Sequence, residues 1–174
     1  RELAEVVDAF ERMKVGLRSF QLYLPIKLVR QLLERQAEPR LGGETREVTI
    51  YFSDIAGFTP ITESLGPMLM AERLGESLAA VSACIQDREG TVVQYVGDEV
   101  MAFWGAPLEV PRHVERACDA ALAVQERLAS LWDFDADHPA MPTRGGLHTE
   151  RVAVGHFGSS DRMYYGAIGD GVVL

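Results

Sequence analysis

Two aspartates lie where apolar segments end, and carboxylates in such places could hold a metal ion. Asp54 follows Val48–Phe52, whose β-branched, aliphatic and aromatic residues predict a strand. Asp98 follows Gly97 between the two apolar runs of Thr91–Trp104, a pattern typical of a β-hairpin. If the hairpin lies beside the first strand, both carboxylates converge at one edge of the sheet. Phosphoryl or nucleotidyl transfer through a pair of divalent ions needs such a layout.

The residues after Asp54 add a place for a phosphate. Gly57 and the pair Thr59-Pro60 predict the start of a helix. Backbone N–H groups at a helix start point outward and attract anions. The simpler interpretation is that Asp54 only caps this helix; the second aspartate, Asp98, favours the metal site over it.

Composition limits the classes of function. The chain has 174 residues, a net charge of −9 and a pI of about 4.9, which argues against a nucleic-acid-binding surface. A polyphosphate site must therefore concentrate its own positive charge, through metal ions or a few arginines. Cys84 and Cys118 fall within helical patterns, which predicts free buried thiols in a reducing, cytoplasmic compartment. No apolar run approaches membrane-spanning length.

The order of the remaining elements predicts an α+β fold. Helical spacing of apolar residues extends over Met68–Arg88 and His113–Leu131. Arg144–His148 and Val152–Phe157 resemble two strands joined by a turn at Thr149–Arg151. An antiparallel-rich sheet with both helices on one face follows from this order.

The N-terminal residues predict a helix with an apolar seam, preceding the sheet. A parallel coiled coil between two copies is one interpretation, and a helix packed on its own domain is the other. A second helix begins near Pro25 and ends before Pro39 and Gly42-Gly43. The seam repeats at alternating three- and four-residue spacing and consists of Leu3, Val6, Phe10, Met13, Leu17 and Phe20.

Four blocks, in order, resemble the catalytic domain of class III adenylate/guanylate cyclases of the bacterial type. They are Tyr51–Thr59, Val96–Ala102, Arg144–Gly155 and Arg162–Val172. The resemblance implies a ferredoxin-like, palm-like antiparallel-rich sheet over residues 44–174, with the last part of the family's domain missing. It also implies that residues 1–43 form a helical signalling linker, with a coiled coil as one form of it, joined to an upstream sensor domain.

The resemblance further implies an activity in intracellular signalling. By that resemblance, we expect ATP to be converted to cyclic AMP and pyrophosphate with two Mg²⁺ or Mn²⁺ ions. The resemblance likewise places the active sites at the interface of a head-to-tail homodimer. The residues that it assigns are Asp54 and Asp98 as catalytic metal ligands, the Ile55 carbonyl as a further ligand, and Ala56, Gly57, Phe58, Thr59 and Arg144 as the phosphate site.

Three positions depart from the family pattern. The base-recognising lysine and its partner correspond to Gln94 and Gly166, so ATP is preferred over GTP only on the Ala-Ile-Gly-Asp block. The transition-state asparagine corresponds to Val173, and no arginine follows. Either this chain is a truncated or degenerate copy of the family's domain, or residues are missing from the sequence after Gly171. The first residue, Arg1, is not Met, which predicts a fragment of a longer protein.

Two other functions compete with a cyclase. A degenerate, non-catalytic module would keep the dimer fold, and Gln94, Gly166 and Val173 favour it. A diguanylate cyclase would carry a Gly-Gly-Asp/Glu-Glu-Phe hairpin, whereas residues 96–100 read Val-Gly-Asp-Glu-Val. Turnover of a nucleoside triphosphate separates the first alternative from an enzyme.

Overall fold

The computed structural model describes residues 2–35, 38–132 and 140–172. The chain divides into two compact units, Arg1–Pro39 and Arg40–Leu174. Within the described residues, no helix combines the length and apolar character needed to cross a membrane.

The first unit consists of two helices, α1 (Glu2–Gln21) and α2 (Ile26–Arg35). Pro25 precedes the first turn of α2, and its carbonyl accepts hydrogen bonds from the backbone N–H groups of Leu28 and Val29. The described side chains of the predicted seam all lie exposed on α1: Val6, Phe10, Met13, Leu17 and Phe20.

The second unit is an α+β domain whose five strands form one sheet. The sheet order β2-β3-β1-β4-β5 and its antiparallel pairings confirm the predicted ferredoxin-like arrangement. Its elements are β1 (Gly42–Ile55), α3 (Phe58–Leu65), α4 (Pro67–Asp87), β2 (Thr91–Val96), β3 (Glu99–Trp104), α5 (His113–Trp132), β4 (Thr143–Gly158), β5 (Met163–Ile168) and a 3-10 turn (Asp170–Val172).

Both faces of the central strands are buried. Side chains alternate along β1, so Tyr51 faces the helices while Val48 and Ile50 face the opposite side. The helix-side core joins sheet, α4 and α5 through Tyr51, Ala102, Trp104, Val81, Ile85, Ala117 and Val124. The opposite core consists of Val48, Ile50, Met101, Phe103, Val152 and Val154.

The predicted turn at Thr149–Arg151 was wrong, because β4 is one continuous strand of 16 residues. Its partner β1 has 14 residues, and the two pair without a register shift from Gly42 to Ile55. The polar side chains that indicated a turn find partners within the fold instead. Thr149 Oγ1 lies 2.9 Å from Thr49 Oγ1, and Glu150 accepts a hydrogen bond described below.

One boundary and the burial of one cysteine also differ from the sequence analysis. Gly42 and Gly43, assigned to the linker, begin β1 and pair with β4. Cys84 is buried as expected, whereas Cys118 is exposed on α5, because only one side of that helix faces the core.

Two glycines give opposite tests of this packing. An added Cβ at Gly90 would lie 2.4 Å from Ile85 Cγ2 and 2.6 Å from Trp104 Cζ2, whereas one at Gly75, exposed within α4, meets nothing within 4 Å. We expect Gly90→Ala to lower the free energy of unfolding by about 1–3 kcal/mol. Gly75→Ala should raise it by up to about 1 kcal/mol, because alanine favours helix. Urea denaturation measures both, and equal effects would contradict the packing.

Candidate active site

The hairpin places the carboxylate of Asp98 at the end of β1. Gly97 adopts φ of 62°, a left-handed conformation that suits a two-residue turn between β2 and β3. Asp98 Oδ2 accepts a hydrogen bond of 2.8 Å from the backbone N–H of the buried residue Ile55. Since Asp54 precedes Ile55, the two aspartates meet at the same end of the strand.

Arg144 lies opposite Asp54 in the register of β1 and β4. Its Nε donates to Asp54 Oδ1 at 2.8 Å and its Nη2 donates to Oδ2 at 2.6 Å. The hydrogen bonds and charge of Asp54 raise the pKa of Arg144, and the charge of Asp98 adds to this effect. A guanidinium and two carboxylates therefore share this end of the sheet.

The turn after β1 leads directly into α3. Gly57 has φ of 72° and occupies the N-cap position, where no side chain caps the helix. The N–H groups of Phe58 and Thr59 lie in the first turn of α3, where no carbonyl of the helix precedes them to accept a hydrogen bond. Pro60, the next residue, has no N–H. The N–H groups of Phe58 and Thr59 therefore suit an anion.

One predicted phosphate-binding residue has a backbone partner within the fold. The backbone N–H of Ala56 donates to the carbonyl of Pro142 at 2.8 Å. The assignment of Ala56 to the phosphate site stays a prediction, and a phosphate bound through this amide would have to replace that hydrogen bond.

The residues at this end fit a divalent metal that shares its ligands with phosphates. No group of three or more His, Cys, Asp or Glu side chains suited to a metal occurs in residues 2–35, 38–132 and 140–172. Mg²⁺ in nucleotide enzymes is commonly bound by one or two carboxylates, with substrate phosphates and water completing its shell. Asp54 and Asp98 could supply that pair of carboxylates, and the carbonyl of Ile55, which lies next to Asp54 in the chain, could supply a further oxygen.

The two predicted base-recognition positions lie on the edge strands of the sheet. Gln94 is exposed on β2, and its Nε2 lies 3.8 Å from Met101 Sδ. Gly166 lies on β5, and a Cβ added there would meet the ring of Tyr164 at 2.8 Å. The remaining predicted position, Val173, is outside the described residues.

Glu150, which the sequence analysis placed in a turn, lies on β4 opposite Val48, away from the strand end that carries the aspartates. Its Oε2 accepts a hydrogen bond of 2.7 Å from the backbone N–H of Gly171, in the 3-10 turn. An added Cβ at Gly171 would lie 2.2 Å from the ring of His148, so the turn lies directly on β4. The polar triplet Thr149–Arg151 indicated a turn, so nothing in the local sequence predicted this contact.

The model of the adenylate and guanylate cyclase catalytic domain matches residues 42–172. The chain belongs to the adenylate and guanylate cyclase catalytic domain family. The match covers β1 through the 3-10 turn and so includes both aspartates and Arg144.

The relatives and solved structures that resemble this domain include proteins named adenylate cyclase and proteins named guanylyl cyclase. Adenylate cyclase 1 of Rhizobium meliloti is 36% identical, over 98% of this chain and 26% of its own length. The adenylyl cyclase CyaB from P. aeruginosa superposes with a TM-score of 0.69 at 30% identity, over 75% of this chain and 70% of that one. The guanylyl cyclase Cya2 gives a TM-score of 0.72 at 28% identity, over 76% and 68%. The chain spans about a quarter to a third of the length of the curated relatives it matches.

The hydrogen bond from Ile55 to Asp98 can be tested by stability. Asp98→Ala removes the acceptor and should lower the free energy of unfolding by about 1–2 kcal/mol. Asp98→Asn keeps an oxygen acceptor, so we expect a loss of less than half that size. Urea denaturation of the cyclase domain gives both values, and an unchanged Asp98→Ala variant would argue against this bond as the anchor of the hairpin.

Proposed function

We propose that this domain converts ATP to cyclic AMP and pyrophosphate. The observation that carries the proposal is the convergence of Asp54, Asp98 and Arg144 at one strand end, beside the N-terminus of α3. Two carboxylates suit divalent cations, and a guanidinium with free amides suits a polyphosphate. Family membership makes cyclisation the reaction that unites these parts.

Each group at the strand end has a proposed task. The carboxylates of Asp54 and Asp98, with the Ile55 carbonyl, hold two Mg²⁺ or Mn²⁺ ions. Bound there, the ions would activate the ribose 3′-hydroxyl and neutralise charge on the leaving pyrophosphate. The Phe58 and Thr59 amides and the Arg144 guanidinium orient the phosphates, with Gly57 permitting close approach of the backbone.

We propose a head-to-tail homodimer with two equivalent sites. Metal-binding groups of one copy would face base-binding positions of the other, where Gln94 and Gly166 take the base-recognition role. The exposed apolar seam of α1 supports association of two copies, because such a surface on a helix is suited to a coiled coil. Sedimentation at high protein concentration would show a dimer mass; a monomer there would contradict this part.

The setting of the domain follows from its relatives. Because they extend well beyond the matched region, we propose that residues 1–43 act as a signalling linker from an upstream sensor domain. A cytoplasmic location suits an enzyme that consumes ATP and releases a signalling nucleotide.

Two observations bear on which purine the domain uses. ATP is favoured by the Ala-Ile-Gly-Asp block at residues 167–170 and by a relative named adenylate cyclase. GTP is the alternative, since the solved structures resembling this domain include a guanylyl cyclase. Gln94 can donate to and accept from either purine edge.

A non-catalytic regulatory or dimerisation module is the second candidate. The observation that favours it concerns the two base-recognition positions on the edge strands of the sheet. Gln94 directs its amide nitrogen toward Met101 Sδ, and Gly166 has no side chain and lies under the ring of Tyr164. Such a module would dimerise and bind nucleotide without forming product.

A turnover assay decides between the two candidates. With ATP and Mn²⁺ or Mg²⁺, we expect cyclic AMP, measured by chromatography, and a parallel reaction with GTP gives the purine preference. Asp54→Ala should lower the rate at least about a hundredfold, because it removes a carboxylate on which electrostatic stabilisation depends. The control Asp119→Ala removes an exposed carboxylate on α5 and should leave the rate unchanged. Absence of product from either purine would favour the regulatory module, and product formation that survives Asp54→Ala would refute the metal assignment.

A further inference from the structure

The ion pair between Arg144 and Asp54 is set by the sheet itself. The two residues are register partners on β1 and β4, so their side chains emerge on the same face. Both carboxylate oxygens of Asp54 accept from the guanidinium, at 2.8 and 2.6 Å. The planar fork of arginine matches a carboxylate in this bidentate way.

The same guanidinium also lies in the field of the second carboxylate. Asp98 contributes to the electrostatic environment of Arg144, while its own Oδ2 is occupied by the Ile55 N–H. The single positive charge of Arg144 thus interacts with two negative charges at this strand end. A divalent cation approaching Asp54 would meet a guanidinium that already holds both carboxylate oxygens and repels the incoming charge.

We infer that Arg144 is an exchangeable counter-ion that makes metal binding at Asp54 depend on a polyphosphate. When a polyphosphate is present, the guanidinium moves from the carboxylate to phosphate oxygens, which it matches with equal geometry. The carboxylate of Asp54 is then free for the metal. This inference rests on the proposed assignment of Asp54 to a metal, and it concerns how that assignment is regulated.

The exposure of the pair makes the exchange feasible. The side chains of Arg144 and Asp54 are 71% and 41% exposed. Ion pairs of such exposure stabilise folded proteins weakly, because solvent and salt screen them. The pair is therefore weak enough to yield when a polyphosphate offers the guanidinium an alternative anion.

Thermodynamic linkage gives the inference a distinctive signature. Arg144 opposes a metal alone because it holds Asp54, and it favours a polyphosphate because it can bind the phosphate oxygens. Since coupling between two ligands is reciprocal, each ligand should then tighten the binding of the other. Removal of Arg144 should strengthen binding of a metal alone and weaken binding of a polyphosphate alone. A residue with a merely structural role would weaken both ligands or neither.

The test measures the two ligands separately on the whole chain. Titration with Mn²⁺ alone, followed by electron paramagnetic resonance of the free ion, should show about three- to tenfold tighter binding by Arg144→Gln than by the wild type. Titration with tripolyphosphate in the presence of EDTA should show weaker binding by Arg144→Gln. Arg144→Lys keeps the charge without the fork, and we expect its Mn²⁺ affinity to lie between the other two.

Two controls separate the exchange from general charge effects. Arg151→Gln removes one exposed positive charge from the same strand and should leave both affinities unchanged. In an Asp54→Asn background, Arg144→Gln should no longer tighten Mn²⁺ binding, because the carboxylate for which the guanidinium and the metal compete is gone. Thermal melting of each variant checks that it is folded.

The outcomes distinguish this inference from the proposed function. Equal or weaker Mn²⁺ binding by Arg144→Gln, or no Mn²⁺ binding by any variant, would overturn the exchange. Tighter Mn²⁺ binding together with weaker tripolyphosphate binding supports it even if no cyclic nucleotide is formed. Turnover with unchanged Mn²⁺ affinity would leave the cyclase in place and refute the exchange alone.

Discussion

The pairing of β1 with β4 is the constraint on which the site depends. It extends over the full 14 residues of β1 without a bulge, and a slip of one residue would turn every side chain of β4 to the opposite face. In the observed register Arg144 lies opposite Asp54, and Val152 and Val154 join the apolar core at the other end of the strand. Burial of that core therefore determines which polar residues meet at the strand end.

The second constraint is the hydrogen bond between Ile55 and Asp98. A two-residue hairpin at a sheet edge has freedom to twist, and this bond ties its turn to the central strand. The remaining backbone donor at the strand end, Ala56, is tied to Pro142. The carboxylates consequently project from an end of the sheet that hydrogen bonds hold in place, which suits a site that must keep charges fixed.

Charge explains why so few groups make up the site. The chain has a net charge of −9, so an anionic substrate is repelled by the protein as a whole. In the proposed site, Arg144, the amides that open α3 and cations bound by the aspartates would concentrate positive charge at one point. An exchangeable ion pair at that point keeps the acidic site balanced before the substrate arrives.

Local patterns in the sequence indicated the helices, the hairpin at Gly97-Asp98 and the strand before Asp54, because each depends on neighbouring residues. The blocks around Asp54, Asp98 and Arg144 also indicated the family. The continuity of β4 could not be predicted, because Glu150 finds its partner, Gly171, only across the fold.

By itself, the sequence determined the chemical types available: two aspartates, an arginine and a glycine-containing helix start. Tertiary structure alone decided that Arg144 holds Asp54 and that the Ala56 N–H donates to Pro142. The physical reason is that these contacts join residues about 90 positions apart, through a register selected by burial along whole strands. Propensity and spacing describe neighbours in the chain, whereas the site is made by neighbours across the sheet.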